Sequence, residues 1–280
     1  MKCVSLYVLG NKEQEQLTTI ISIVNQKGGV AKTTTAINLS ACLGNMGQRV
    51  LLVDLDPQGN ATAGYGFAGA AKKNLEYTTY DVIMGEARPA QAIIKTKFKN
   101  VSIMPATSSL AEAEVRLLQF ENKTLCLKKA LLQIKDDYDI IIIDCLPSLG
   151  ILALNGLSAC DRLIIPMQCE PYSLEGVAEL LATVKRIKKS SNRGLQIMGI
   201  VFTMLDKRLT VNREVMRSIK AKFPEDTIFK TEIPRNVRIS EAPSHGEPIL
   251  YYDPESKGAE AYSRLAKEVL KKCREAQEML

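Results

Sequence analysis

The sequence predicts an α/β fold with a mostly parallel, twisted sheet and helices on both faces. Apolar runs that read as strands lie near residues 20–25, 50–55, 101–105, 139–144, 162–167 and 197–204, with a shorter edge strand near 227–232. Stretches of helical periodicity separate them at 34–46, 109–120, 123–135, 173–190 and 211–222. Strands that alternate with helices in this way are typical of parallel sheets.

Length and composition favour one globular domain. The chain has 280 residues, of which 46% are hydrophobic, and no proline-rich linker or repeat divides it. We therefore expect an N-terminal extension at residues 1–18 and one domain at 19–280. The start of the chain reads as neither a signal peptide nor a membrane span, so we expect a cytoplasmic protein. Seven scattered cysteines without a C-x-x-C pair indicate reduced, mostly buried thiols and argue against an iron–sulfur carrier.

A loop between the first predicted strand and the first predicted helix has the features of a phosphate-binding loop. Residues 25–35 read NQKGGVAKTTT. Backbone N–H groups in such a loop turn inward on phosphates, and the following helix adds the positive end of its dipole. Lys32 is placed to reach the β and γ phosphates, Thr33 to ligate Mg²⁺ and Thr34 to bond the α phosphate. The predicted nucleoside triphosphate contacts are Gly28, Gly29, Val30, Ala31, Lys32, Thr33 and Thr34.

The loop departs from the strict P-loop pattern at three positions. The strict pattern has glycine where this sequence has Gln26 and Ala31, and Lys27 is an additional lysine before the glycine pair. Because a left-handed alanine costs about 1–2 kcal/mol, we expect a helix-like φ at Ala31. The alternative for the whole segment is an ordinary glycine-rich turn, and the surrounding sequence favours the phosphate loop.

Two carboxylates follow buried strands and support that interpretation. Asp56 comes just after the run at 50–55, and Asp144 ends the run at 139–144. In an open α/β sheet the carboxyl ends of the strands line the ligand crevice, so both side chains are expected beside the phosphates and the metal. A carboxylate there either holds Mg²⁺ through water or orients the attacking water.

Several longer motifs resemble the ParA/Soj family of chromosome and plasmid partitioning ATPases, within the deviant Walker A class that includes MinD. The resemblance runs from about residue 20 to residue 266. Besides the loop, it is carried by DLDPQGNAT at 54–62, QCEPY at 168–172, TMLD at 203–206 and IPRNVRISEAPSHG at 233–246.

The resemblance implies a role for each matching residue. Lys27 is the lysine that reaches the partner's phosphates across a nucleotide-sandwiched homodimer, and Lys32 is the loop lysine. Asp56 orients the hydrolytic water and Asp144 is the Walker B-like acid. The implied catalytic set is therefore Lys27, Lys32, Asp56 and Asp144, the Mg²⁺ set is Thr33, Asp56 and Asp144, and Pro234 and Asn236 line the adenine pocket. Ala31 and Leu146 depart from the family's usual glycine and proline, which bears on turnover more than on nucleotide binding.

Charge is concentrated in the C-terminal third. Residues 185–274 hold twenty Lys and Arg against eleven Asp and Glu, within a chain of net charge +6. Basic helices often serve solubility alone, but Arg208 and Arg238 match the arginines that family dimers use on DNA. Lys207, Arg213 and Arg217 are weaker candidates on the same stretch of sequence. With 5% aromatic residues and no base-reading motif, we expect contacts to the phosphate backbone of double-stranded DNA without sequence preference.

The resemblance therefore implies an ATP- and Mg²⁺-dependent homodimer that binds DNA in the ATP state and is nucleoid-associated in that state. A ParB-like centromere-binding protein stimulates its slow hydrolysis. The Gly- and Ala-rich segment 59–73 is expected to be a mobile loop, either a nucleotide-dependent switch or a plain surface loop. One alternative is a MinD-like membrane-associated division regulator, which needs the C-terminal helix at 257–279 as an anchor. Another is an assembly factor or metallochaperone that shares only the ATPase core.

Overall fold

A computed structural model describes residues 18–170 and 173–278. A seven-stranded sheet forms its centre, in the order β3-β4-β2-β5-β1-β6-β7. All neighbouring strands are parallel except β3 and β4, which pair antiparallel at one edge. The strands are β1 (Thr19–Ile23), β2 (Val50–Leu55), β3 (Ile94–Lys95), β4 (Val101–Met104), β5 (Ile140–Cys145), β6 (Arg162–Gln168) and β7 (Gln196–Thr203).

Helices connect these strands and cover both faces of the sheet. The α-helices are α1 (Lys32–Asn45), α2 (Asn60–Gly64), α3 (Ala70–Lys73), α4 (Thr79–Met84), α5 (Pro89–Ala92), α6 (Leu110–Arg116), α7 (Cys126–Leu131), α8 (Ile151–Ala159), α9 (Ser173–Ser190), α10 (Thr210–Lys222), α11 (Val237–Glu241), α12 (Ile249–Tyr252) and α13 (Lys257–Glu278). Short 3₁₀ helices occur at Leu117–Gln119, Lys135–Asp137, Glu225–Thr227 and Ala242–His245. The predicted fold class is therefore confirmed.

Alternate residues of each central strand contribute to two hydrophobic cores. In β5, Ile141 and Ile143 belong to one core and Ile140 and Ile142 to the other. This division follows from the two-residue repeat of a strand, and it explains why strands covered on both faces are continuously apolar. The sheet is thus held between two helical layers, with its carboxyl edge open where the strands end.

The C-terminal helix α13 packs against α1 on one of these faces. Its apolar stripe, which includes Tyr262, Leu265 and Val269, is fully buried. The stripe that a membrane anchor would have to offer to lipid is therefore engaged in the core. Within residues 18–170 and 173–278, the helices lack the combination of length and apolarity needed to span a bilayer.

Two predictions of secondary structure need correction, and some elements were not predicted. The segment predicted as an edge strand at 227–232 makes only an isolated bridge between Ile228 and Ile200 of β7, so β7 is the edge strand on that side of the sheet and β3 is the edge strand on the other. The segment 59–73, predicted as a loop, contains α2 and α3. Helix α8 was not predicted, because it is apolar on nearly every side and shows no helical periodicity.

Candidate functional site

The loop between β1 and α1 lies at the carboxyl edge of the sheet and is held by side chains from neighbouring strands. The Gln168 amide donates to the Gly29 carbonyl at 3.1 Å, and the Thr203 hydroxyl donates to the Val30 carbonyl at 3.0 Å. Asn25 donates to the Pro166 carbonyl and accepts from the N–H of Lys27. With its carbonyls held by β6 and β7, the loop leaves N–H groups available to an anion.

Ala31 adopts a left-handed conformation, with φ of 66° and ψ of 35°, so the expectation of a helix-like φ is wrong. The residue is the N-cap of α1, where the backbone must leave the loop before the helix begins. The geometry of the loop thus requires a glycine-like backbone even where the sequence has alanine. The associated cost is about 1–2 kcal/mol, which the rest of the fold must offset.

The two lysines of the loop occupy different environments. Lys32 is buried, and its ammonium donates to the Lys27 carbonyl at 2.9 Å. Burial lowers the pKa of Lys32, while the nearby Asp144 carboxylate acts in the opposite direction. The Lys27 ammonium instead pairs with Glu170 at 2.6 Å, with both side chains partly exposed. Lys32 therefore faces the interior of the loop and Lys27 its outer side.

The two predicted carboxylates lie at the ends of adjacent strands and differ in accessibility. Asp56 is 8% exposed, and its Oδ1 accepts from the N–H of Gln58 at 2.9 Å. Asp144 is fully buried and lies in register with Asp54 of β2. Burial raises the pKa of Asp144 well above its usual value, and the neighbouring charge of Asp54 raises it further.

Both carboxylate oxygens of Asp144 are buried, and within the described residues neither has a hydrogen-bond partner. A buried carboxylate without donors is costly unless a cation or an ordered water compensates it. The Thr33 hydroxyl and the Lys32 ammonium are close enough to favour the ionised form of Asp144. Hard oxygen ligands of this kind suit Mg²⁺ and its water shell, so the residues present fit that ion.

A cavity of about 480 Å³ extends from the loop to the segment after residue 232, within the size range of ligand pockets. Eight predicted nucleotide- or metal-site residues line it. They are Gly29, Ala31, Lys32, Thr33, Thr34, Asp56, Pro234 and Asn236. Lys27, Gly28, Val30 and Asp144 are not among its lining residues in the described part of the chain.

Some lining residues were not predicted. Tyr262 of α13 is fully buried, and its hydroxyl lies 3.4 Å from the Thr35 hydroxyl in α1. Met204 has a positive φ of 49° and lines the cavity beside Ile233. Asn60 at the start of α2 also lines it. Asn60 and Met204 stand inside quoted motifs, but the contribution of Tyr262 from a remote helix has no local sequence signal.

The candidate DNA-contacting residues lie after β7 and in the segment joined to it. Leu205 and Pro234 form a parallel bridge, which brings the chain around Arg208 beside the chain around Arg238. Arg213 and Arg217 are exposed on α10. The structure thus places the five candidates on two adjacent segments and one helix at the surface.

Three of these cations are paired with acidic residues. Arg208 makes a bidentate contact with Asp206 at 2.9 and 2.6 Å, which lowers the pKa of Asp206 to about 2. Arg238 contacts Glu241 at 3.0 Å and Asp253 at 3.5 Å. Lys207 pairs with Glu232 at 2.5 Å. Ion pairs at the surface are screened by solvent and contribute little to stability, so a polyanion can replace the acidic partners.

Comparison with known proteins agrees with the fold and the loop. A family model described as an AAA domain matches residues 18–197. The sporulation initiation inhibitor protein Soj of Bacillus subtilis is 51% identical over 250 residues, covering 89% of this chain and 97% of that protein. The chromosome-partitioning ATPase Soj of Treponema pallidum is 48% identical over 247 residues, covering 88% of this chain and 95% of that protein.

A solved structure of another protein has a similar fold. The cobyrinic acid a,c-diamide synthase of Mycobacterium smegmatis, with bound ADP and magnesium, superposes with a TM-score of 0.79 at 37% identity. The alignment covers 91% of this chain and 94% of that chain. The fold and the loop define a P-loop NTPase. This chain belongs to the Soj/ParA family of chromosome-partitioning ATPases.

Proposed function

We propose that the protein is an ATP-dependent dimer that binds DNA without sequence preference in its ATP state and drives chromosome or plasmid segregation. A ParB-like centromere-binding protein accelerates its hydrolysis. ATP and Mg²⁺ are the ligands that the named relatives and the loop chemistry support. In the ATP state the protein is nucleoid-associated, and hydrolysis returns it to a form that does not bind DNA.

The observation that carries this proposal is the placement of the two loop lysines. Lys32 lies inside the loop, whereas Lys27 is at its outer side in a contact with Glu170. An exposed ion pair of this kind is weak enough to exchange for another anion. We assign Lys27 to the phosphates bound by a second copy, so that dimerisation completes the active site. This arrangement explains a second lysine in a loop that needs only one.

The remaining roles follow from position in the cavity or, for the fully buried Asp144, from position beside Lys32 and Thr33. The loop N–H groups and Lys32 bind the phosphates, and Pro234 with Asn236 holds the base. Thr33 and Asp144 would hold Mg²⁺, either directly or through water, and Asp56 lies near them in the cavity wall. When bound, the ion supplies positive charge to the phosphate oxygens. Asp56, which is accessible from the cavity, orients the attacking water.

A membrane-associated division regulator is the competing function, and the packing of α13 does not favour it. The anchor would have to expose Leu265 and Val269, which are fully buried beside α1. Exposing them would forfeit roughly 1.5–3 kcal/mol of burial per side chain. The C-terminal basic surface, by contrast, is available to a polyanion without rearrangement of the core.

The test is fluorescence anisotropy of a random-sequence duplex with the purified protein. ATP-Mg²⁺, ADP-Mg²⁺ and nucleotide-free conditions are compared over a salt series, and phosphate release is measured in parallel. We expect binding in ATP alone, weakened steeply by salt, together with slow hydrolysis. Equal binding in every nucleotide state, or no binding in any, would contradict the DNA switch and direct the search to liposomes and protein partners.

A further inference from the structure

The carboxylate of Asp54, two residues before Asp56, accepts several hydrogen bonds but has no part in the function proposed above. Asp54 is fully buried in β2. Its Oδ1 accepts the backbone N–H of Asp56 at 3.2 Å. Its Oδ2 accepts both the N–H and the hydroxyl of Thr62, at 2.8 and 2.6 Å. Burial raises the pKa of Asp54 to about 6, and the bonds from Thr62 act in the opposite direction.

Thr62 extends this network to a third segment. It is fully buried in α2, and its hydroxyl oxygen accepts the N–H of Ala106 at 2.9 Å. The hydroxyl therefore acts as donor and acceptor at once, between the end of β2 and the chain that follows β4. Buried polar groups are costly when a partner is lost, so these bonds hold each other in place.

The turn that carries Asp56 lies between the two points of attachment. At the start of the turn, the N–H of Asp56 donates to the Asp54 carboxylate. After the end of the turn, the N–H of Thr62 donates to the same carboxylate. Within the turn, Gly59 donates to the Asp56 carbonyl and Gln58 to the Asp56 carboxylate. The buried Asp54 side chain is thus hydrogen-bonded to both ends of the segment from which Asp56 reaches the cavity.

We infer that Asp54 and Thr62 are positioning residues for hydrolysis, which fix the 56–60 turn and with it the direction of the Asp56 carboxylate. Neither lines the cavity among the described residues, so they act through Asp56 and not on the nucleotide. This inference rests on the proposed function, because it requires Asp56 to orient the attacking water. Misplacement of an orienting group by about 1 Å is enough to lower a rate strongly.

The experiment compares Thr62→Val with Thr62→Ser in steady-state ATP hydrolysis by the full chain. Valine keeps the shape and removes the hydroxyl, whereas serine keeps the hydroxyl. We expect Thr62→Val to lower kcat about tenfold, by analogy with misplaced catalytic groups, and to leave KM for ATP unchanged. Thr62→Ser should restore kcat to near the wild-type value.

Thr79→Val is the matched control. Thr79 is also fully buried, and its hydroxyl donates to the carbonyls of Met104 and Pro105, next to Ala106. Its hydroxyl bonds only to those two carbonyls within the described residues and not to Asp54. Removing the hydroxyl therefore disturbs the packing next to Ala106 and leaves the bonds of Asp54 to the Asp56 turn in place. We expect wild-type kcat from this variant even where thermal stability falls as much as in Thr62→Val.

Each result decides the inference. Unchanged kcat in Thr62→Val, equal loss of kcat in Thr79→Val, or a change confined to KM would overturn it. If Thr62→Val fails to fold, Asp54→Asn replaces it: reduced kcat at wild-type ATP affinity supports the inference, and wild-type kcat overturns it. Absence of hydrolysis by the wild-type protein would instead refute the proposed function, and the positioning role would fall with it.

Discussion

Ala31 occupies a backbone conformation that glycine adopts without strain. Replacing Ala31 with Gly should remove the left-handed penalty of about 1–2 kcal/mol, partly offset by about 0.4–1 kcal/mol of added freedom in the unfolded chain. The expected result is a small net stabilisation. A rise in Tm of a few degrees in thermal unfolding, without loss of ATP binding, checks it. A lower Tm would show that the alanine methyl makes a compensating contact.

Lys32 and Lys27 offer a matched pair of substitutions five residues apart. Lys32→Ala should abolish ATP binding, because the proposed function assigns the phosphates to its ammonium, which is buried within the loop. The Lys27→Ala variant should still bind ATP as a monomer but should lose dimerisation and hydrolysis, because the Lys27 ammonium lies at the outer side of the loop. Titration calorimetry measures the first property and light scattering with ATP the second. Full ATP affinity in Lys32→Ala would remove the phosphate-loop assignment.

The Asp56→Ala substitution should impair ATP hydrolysis without impairing ATP binding. The carboxylate lines the cavity but its only described polar contact within the turn is to the N–H of Gln58, so its loss leaves the loop intact. We expect wild-type ATP affinity, hydrolysis reduced at least tenfold, and an ATP dimer that persists in size-exclusion chromatography. Unimpaired phosphate release from this variant would refute the role of Asp56 with water.

At the residue level the sequence revealed the motif but not every contact. The loop, Asp56 and the Pro234 segment were found because phosphate chemistry requires those residue types in that order. The φ of Ala31 was predicted wrongly because the loop geometry outweighs the preference of one alanine. Tyr262 was missed because it reaches the site from a helix more than two hundred residues beyond the loop.

At the level of elements, the stripe on α13 decides between core packing and a membrane anchor. Leu265→Ala should lower the free energy of unfolding by about 2–5 kcal/mol, because the side chain is fully buried and leaves a cavity. Lys267→Ala, an exposed position on the same helix, is the control and should stay within about 0.5 kcal/mol. Urea denaturation measures both. Equal stability of the two variants would show that the stripe is not part of the core.

The accuracy of the predicted elements follows their length and periodicity. Helix α9 was predicted with the bounds the structure has, because its apolar residues recur at helical spacing beside charged ones. Helix α8 lacks that contrast, and β3 has two residues, which is too short for any periodic signal. Sequence pattern therefore finds long amphipathic helices and long apolar strands such as β2 and β5. Short strands at the sheet edge form through tertiary contacts and leave too little local pattern.

At the scale of the whole molecule, the candidate DNA contacts lie on two bridged segments, after β7 and after Pro234, and on α10. Three of the cations are held in the described structure by Asp206, Glu232 and the pair formed by Glu241 and Asp253. Binding to phosphates would exchange these carboxylates for DNA and release counterions. Because affinity then depends on the number of contacts, two copies in one dimer bind far more tightly than one. In the function proposed above, nucleotide-dependent dimerisation would therefore be sufficient to switch DNA binding.

Arg238→Glu tests this surface. The substitution replaces a phosphate contact with a repulsive charge, so DNA binding in ATP should be lost at moderate salt while ATP affinity stays unchanged. The milder Arg238→Ala should reduce the slope of log affinity against log salt by about one per protomer, as expected for one lost phosphate contact. Arg193→Glu makes the same charge change at an exposed residue before the amino end of β7, whereas Arg208 follows the carboxyl end of that strand, and this variant should retain DNA binding. Anisotropy over a salt series measures all three, and equal weakening by Arg238→Glu and Arg193→Glu would mean that net charge, not this surface, holds the DNA.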